Sequence, residues 1–219
     1  RAATLRRFHA TFAACGLRWS ALRPAYGMAE TTLLVTTSAP DDGPVIATLD
    51  GPALRDQGRA RPAETPARAV DCVSSGRVIP TSRMVIRDPD TGRVCNDDEV
   101  GEIGVQGPGV AAGYWRRPPT EAFHLEIPGQ PGTWLCTGDL GFLRDGELFV
   151  TGRRKDLIIL AGANYYPQDI EAAIEASDPA FRPGCTAAFG VELPELEEGV
   201  VVVAAVAAAR PRDAARLAP

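Results

Sequence analysis

Thr137 to Glu171 reads TGDLGFLRDGELFVTGRRKDLIILAGANYYPQDIE. An aspartate at a Gly-flanked turn comes first. A glycine–basic–acidic segment follows from Gly152 to Asp156, and then a Gly/Asn/Pro loop that opens a helix. Asp145-Gly146 joins Leu140–Leu143 to Glu147–Thr151 as a β-hairpin. Tyr166-Pro167-Gln168-Asp169 starts a helix running to about Ala176, with Asp169 and Glu171 in the first turn, where the helix dipole favours acids. Lys155 is the only lysine in a chain that otherwise takes its positive charge from arginine. A lone lysine on a Gly-led turn therefore raises a functional question.

Working outward, the pattern is strand-rich and broken by 22 glycines and 19 prolines. Arg83 to Arg87 is strand-like, Asp88-Pro89-Asp90-Thr91-Gly92 is a turn, and Glu102 to Gln106 is a strand ended by Gly107-Pro108-Gly109. Leu22 to Thr36 reads as a short strand, a turn at Tyr26–Gly27 and an apolar continuation. Ser38 to Gly76 is the least regular part, with one strand, Val45 to Leu49, and a polar stretch from Asp56 to Arg68. A connection of that length is often functional. Near the start, Leu5, Phe8, Phe12 and Cys15 recur at three- and four-residue spacing, which predicts an amphipathic helix from Ala3 to Cys15 ended by Gly16. Downstream, Thr186 to Val191 and Val200 to Ala207 predict two strands of a second small sheet, and the run Val200–Ala209 reads as buried. The fold class is α/β in the mixed α+β sense.

Composition narrows the functions. A net charge of −5 and a pI near 5.2 argue against a nucleic-acid or anionic-membrane surface. The longest apolar run, Val200 to Ala209, is about half of the roughly 20 residues a membrane helix needs. Five scattered cysteines show no CxxC or Cys/His spacing, so buried or idle thiols in a reducing, cytoplasmic setting are expected and a Cys/His metal site is not. His9 and His124 are isolated and suit packing or surface roles. The chain begins with Arg and ends in an Ala/Arg/Pro stretch, which suggests a piece of a longer protein.

Four motifs stand in order: YGMAETT (Tyr26–Thr32), GEIGVQGPGVAAGYW (Gly101–Trp115), WLCTGDLG (Trp134–Gly141) and GRRKDLIILAGANYYPQDIE (Gly152–Glu171). Together they resemble the adenylate-forming enzymes, and AYGMAETT with NYYPQDIE resembles the fatty acyl-AMP ligase branch most. The resemblance runs from about Leu5 to Val206. It implies a β-barrel-like subdomain at the end of a large AMP-binding domain (1–154), followed by part of a small α+β C-terminal domain (155–219). It also implies ATP and Mg²⁺ as cofactors and a fatty acid as substrate. The implied acceptor is an acyl carrier protein, or the carrier domain of a polyketide or peptide synthase.

Such chemistry must hold adenine and ribose, neutralise phosphate charge and exclude water. Asp139 offers two carboxylate oxygens to vicinal ribose hydroxyls; the plain alternative is an ordinary Thr-Gly-Asp turn. Tyr26 before Gly27 offers an aromatic face to a base, or is a core tyrosine. Glu30 is a hard oxygen ligand of the kind Mg²⁺ takes beside phosphates, or a solvated turn acid. Thr31 donates to a phosphate oxygen or caps a turn. Arg153 suits the sugar–phosphate end of a nucleotide because its fork donates several hydrogen bonds at fixed geometry. Lys155 falls where the small domain of these enzymes pivots, or is a surface charge. Ala29 replaces the Thr that many members carry before the Glu, which leaves the α-phosphate contact open.

Gly51 to Ser75 lies where fatty acyl-AMP ligases resemble one another in an extra segment thought to restrain the small domain. A tolerated surface loop is the alternative. By the same resemblance, the phosphate-gripping loop and the catalytic lysine belong outside these 219 residues, so the chain alone is expected to be inactive. Two other functions stay open: part of an acyl-CoA synthetase, or a non-catalytic nucleotide-binding or carrier-docking module.

Overall fold

The computed structural model describes residues 1–160, 163–193 and 196–206. Contacts divide the chain into two units, Arg1–Arg154 and a second beginning at Lys155.

In the first unit, α1 (Ala2–Phe12) passes into a 3-10 turn, Ala13–Cys15, and stops at Gly16 with φ 86°. Its apolar stripe stays largely uncovered. The Phe8 and Phe12 rings meet at 4.8 Å, tilted by 51°, with 48% and 42% of their surfaces exposed, and Ala2 alone is buried. β1 (Ala25–Tyr26) then pairs antiparallel with β2 (Thr36–Thr37). The apolar continuation between them is a tight turn. Thr32 and Leu33 have φ of 57° and 75°, and Leu33 is 73% exposed. Gly27 supplies the reason: a Cβ there would stand 1.4 Å from the Leu33 carbonyl oxygen, so the chain doubles back against it.

The stretch expected to be least regular is ordered. β3 (Ile46–Asp50) pairs antiparallel with β4 (Ala69–Val73), and α2 (Gly51–Gln57) stands between them. Asp50 caps α2 by accepting the Ala53 N–H at 2.8 Å, and a proline occupies the helix's first turn. Arg68 donates both arms of its fork to the same carboxylate, at 2.6 and 2.9 Å. The segment also supplies core. Leu49, Leu54 and Ala60 are buried with Phe142 and Phe149, whose rings stack at 4.9 Å.

β5 (Arg77–Val78) adds to β2, completing a three-stranded sheet. Five strands make the main antiparallel sheet: β6 (Arg83–Arg87), β7 (Gly101–Gln106), β8 (Leu125–Glu126), β9 (Thr133–Arg144) and β10 (Glu147–Arg153). Their order is β10-β9-β7-β6, with β8 on β9. The turn after β6 forms as its residues dictate, with the Asp88 carboxylate accepting the N–H groups of Asp90 and Thr91 at 2.9 Å each. Asp145 and Gly146 join β9 to β10 at φ 52° and 78°, as a two-residue hairpin turn requires. Leu148 and Phe149 are neighbours in sequence and so face opposite ways. Leu148 joins Val35, Ile86, Ile103 and Val105, and Phe149 joins the cluster built by 49–60. Both faces of the sheet are therefore covered. Burying each such side chain is worth about 1.5–3 kcal/mol.

In the second unit, β11 (Ile158–Leu160) pairs with β12 (Ala163–Tyr165), α3 (Pro167–Ser177) follows, and β13 (Phe181–Leu193) pairs antiparallel with β14 (Leu196–Val206). α3 packs on β13, and Glu171 and Glu175 accept the Ala188 and Gly184 N–H groups at 3.2 and 2.8 Å. The run expected to be buried is not: its described residues, 200–206, are partly or fully exposed. Val201 and Val203 are 37% and 58% exposed, because β13 and β14 make a two-stranded ribbon and their side chains alternate between its faces. Residues 207–209 lie outside the described residues. The whole is mixed α/β. Among the described residues, no helix is long and apolar enough to cross a membrane.

Candidate nucleotide-binding site

Asp139 is presented by an irregularity in the middle of the main sheet. Between the pairs Glu102↔Leu140 and Gly104↔Cys136, β7 advances two residues and β9 advances four, so β9 carries two extra residues at Thr137–Asp139. Gly138 turns the strand there at φ 75°. Thr137 Oγ1 donates to the Ile103 carbonyl at 3.0 Å and accepts the Asp139 N–H at 3.1 Å. Glu102 Oε1 accepts the Gly138 N–H at 3.1 Å, and its other oxygen accepts from Arg87 Nε at 3.1 Å. Glu102 and Arg87 are both buried, so a compensated ion pair underlies the bulge. On the other side, β10 slips register between Val150 and Gly152, which sets Arg153 opposite Asp139.

The Asp139 carboxylate, 7% exposed, gathers two partners from distant sequence. The Tyr26 hydroxyl donates to Oδ2 at 2.8 Å, and Arg153 Nε donates to Oδ1 at 3.0 Å. Burial above all pushes the Tyr26 phenol up, and the Asp139 charge adds to it, so the hydroxyl remains a proton donor at any physiological pH. An ionised carboxylate has about four acceptor positions, so two occupied ones leave room for further donors. The Arg153 side chain is 54% exposed, and its Nη groups have no bond to Asp139.

Glu30 lies on the 3-10 turn Ala29–Thr31, partly exposed. The Tyr114 hydroxyl donates to its Oε1 at 2.6 Å and is the foremost cause holding this carboxyl below its ordinary range. Arg153 acts electrostatically on both Glu30 and Tyr26. Thr31 is buried; its hydroxyl donates to the Met28 carbonyl at 3.0 Å and accepts the Met28 N–H at 3.3 Å. That proton is committed to closing the turn beneath Glu30. Lys155 is exposed, in the single 3-10 turn Arg154–Asp156, at the start of the second unit.

The structure joins Tyr26, Asp139 and Arg153 of the sequence reading in one hydrogen-bonded group, with Gly27 beside Tyr26 and Glu30 on the turn that follows. Three residues carry the geometry without having been singled out: Tyr114, Glu102 and Arg87. Glu102 had a readable signal, a carboxylate inside an apolar strand between glycines. Tyr114 had none, since its partner lies 84 residues earlier. No group of three or more His, Cys, Asp or Glu could hold a metal among the described residues. The donor set around Glu30 fits only a cation that takes one protein carboxylate and completes its shell from phosphate and water, which is the habit of Mg²⁺.

The family model described as AMP-binding enzyme matches residues 1–115. The chain belongs to the AMP-binding enzyme family. Over 209 residues it is 44% identical to the medium-chain-fatty-acid acyl-carrier-protein ligase JamA of Moorena producens, covering 93% of this chain and 35% of that protein. Over 213 residues it is 37% identical to the long-chain-fatty-acid AMP ligase FadD32 of Mycolicibacterium smegmatis, covering 91% and 34%. A solved structure from work on fatty acyl-adenylate ligases of E. coli and L. pneumophila matches with a TM-score of 0.85 at 31% identity, covering 99% of this chain and 37% of that one. The mixed α/β architecture is that of an adenylate-forming enzyme, as the four motifs implied. The chain spans about a third of the length of the curated relatives it matches.

Proposed function

We propose that this chain is part of an ATP-dependent ligase that activates a fatty acid as its acyl-adenylate and hands the acyl group to a carrier protein. The observation that carries the reading is the convergence of Tyr26 and Arg153 on the buried carboxylate of Asp139. In this reading the remaining acceptor positions of Asp139 take the ribose hydroxyls. Tyr26 lends its ring to adenine while its hydroxyl fixes the carboxylate. Arg153 directs its free Nη groups at the sugar–phosphate end, and Gly27 lets the turn fold close enough to set Tyr26. Thr31 serves the nucleotide through the turn it closes.

Glu30 would hold Mg²⁺, which when bound neutralises phosphate charge as pyrophosphate leaves. Lys155, exposed at the start of the second unit, would be the pivot of the small domain. Residues 1–154 would close the large domain, and those from 155 on would open the small one. The 51–75 segment would be the family insertion, here fastened by the Asp50–Arg68 pair.

The test uses a protein carrying this chain at the full length of its relatives. Pyrophosphate exchange should depend on fatty acid, and the product should appear on a carrier protein and not on coenzyme A. A coenzyme A thioester as the main product would favour an acyl-CoA synthetase. Binding of an acyl-AMP analogue without any exchange would favour a docking module.

A further inference from the structure

We propose that Tyr114 is a positioning residue for the nucleotide-bound metal, acting by fixing the Glu30 side chain; this rests on reading Glu30 as the metal ligand. Glu30 stands on a three-residue turn and has three side-chain torsions to settle. Left to itself, such a side chain gives up rotamer entropy when it is ordered. Tyr114 settles it beforehand. Its hydroxyl donates to Oε1 at 2.6 Å, and a single donor leaves the carboxylate further acceptor positions for a hard cation.

The tyrosine is itself held at both ends. Its ring stands edge-on to Phe123 at 5.2 Å, and Phe123 is 4% exposed. Its backbone belongs to a strap, 109–114, laid along 30–32. The Ala111 N–H donates to the Glu30 carbonyl at 2.8 Å, and Thr32 Oγ1 donates to the Gly109 carbonyl at 2.8 Å. A Cβ on Gly109 would come within 3.0 Å of the Thr31 carbonyl oxygen, so strap and turn are in close contact. Gly113 then turns at φ 148°, a conformation L side chains rarely adopt, just before Tyr114. The phenol-to-carboxylate distance is thus set by this chain alone, before any ligand arrives.

The experiment compares the full-length enzyme with Tyr114→Phe and Glu30→Gln. Two quantities are read: Mn²⁺ affinity by electron paramagnetic resonance with a non-hydrolysable ATP analogue, and the Mg²⁺ midpoint of pyrophosphate exchange. Removing one such hydrogen bond should weaken Mn²⁺ binding about three- to tenfold. It should raise the Mg²⁺ midpoint equally, leave the KM for fatty acid in place, and let added Mg²⁺ recover most of the lost rate. A merely structural role would move the fatty-acid KM as well and would not be rescued by metal. If Glu30→Gln leaves Mn²⁺ binding unaltered, the metal assignment itself falls. If Glu30→Gln weakens it and Tyr114→Phe does not, the positioning role alone is overturned.

Discussion

Two carboxylates of this chain are proposed to meet the same nucleotide, and the fold treats them in opposite ways. Asp139 is buried in a bulged central strand, with a phenol on one oxygen and a guanidinium on the other. Glu30 is partly exposed on a short turn and has one phenol. A buried charge must be compensated by its own protein, because removing it from water costs several kcal/mol per ion. An exposed one is compensated by water and needs only to be aimed. The Asp139 region should therefore couple binding to folding, and the Glu30 region should not.

The largest effect expected of that contrast lies beneath Asp139. Glu102→Ala would strand the buried Arg87 guanidinium and the Gly138 N–H together. Breaking a buried pair by removing one partner costs about 3–5 kcal/mol. Chemical denaturation should show that loss, with nucleotide affinity falling too, since the bulge that presents Asp139 loses its brace. A cost under about 1 kcal/mol would mean that the bulge stands without the pair.

This coupling is also where the sequence stopped being informative. The hairpin at Asp145–Gly146, the helix 167–177 and the Gly16 stop were legible because each is decided within a few residues. Leu33–Leu34 read only as an apolar continuation, because the docking of Gly27 onto the Leu33 carbonyl, which goes with positive φ at Thr32 and Leu33, has no local signature. The order within 51–75 was hidden because Arg68 closes on Asp50 across 18 residues of unremarkable Arg/Ala/Pro composition. Residue types and motif order singled out Tyr26, Asp139 and Arg153, whose side chains meet in the structure. That the Tyr26 hydroxyl belongs to Asp139 is a fact about positions 113 residues apart, which no local pattern carries.

A middle-sized effect is expected at Asp139 itself. Asp139→Asn keeps the shape and an acceptor for Tyr26 but removes the charge. Hydrogen bonds to charged groups are worth about 1.5–3 kcal/mol, so affinity for an acyl-AMP analogue should fall roughly tenfold to a hundredfold in calorimetry. The fold should suffer less than in Glu102→Ala, because Arg153 is exposed enough to be rehydrated. Glu30→Gln supplies the opposite pole. Its stability change should stay within about 0.5 kcal/mol, as for other surface substitutions.

A third carboxylate tests which half of the contrast matters, the burial of the acid or that of its partner. Asp50 is 7% exposed, like Asp139, but the Arg68 side chain that forks onto it is 53% exposed. The Arg68 hydrogen bonds and the Ala53 N–H hold its carboxyl at about 2, against 3.8 for a free aspartate. A depressed folded value means that the acid stabilises the fold above its unfolded pKa and loses that contribution as pH falls through the folded one. The Asp50→Asn variant retains a good helix cap and loses the charge together with one of the two oxygens that accept the Arg68 fork. The wild type should therefore melt higher than Asp50→Asn at pH 7, and the gap should close between about pH 4 and pH 2. The gap should be smaller than the loss in Glu102→Ala, because water screens Arg68 far more than Arg87. A gap that does not change with pH would assign Asp50 to capping alone. A gap as large as that of Glu102→Ala would show that burying the acid decides the cost, whatever the exposure of the base.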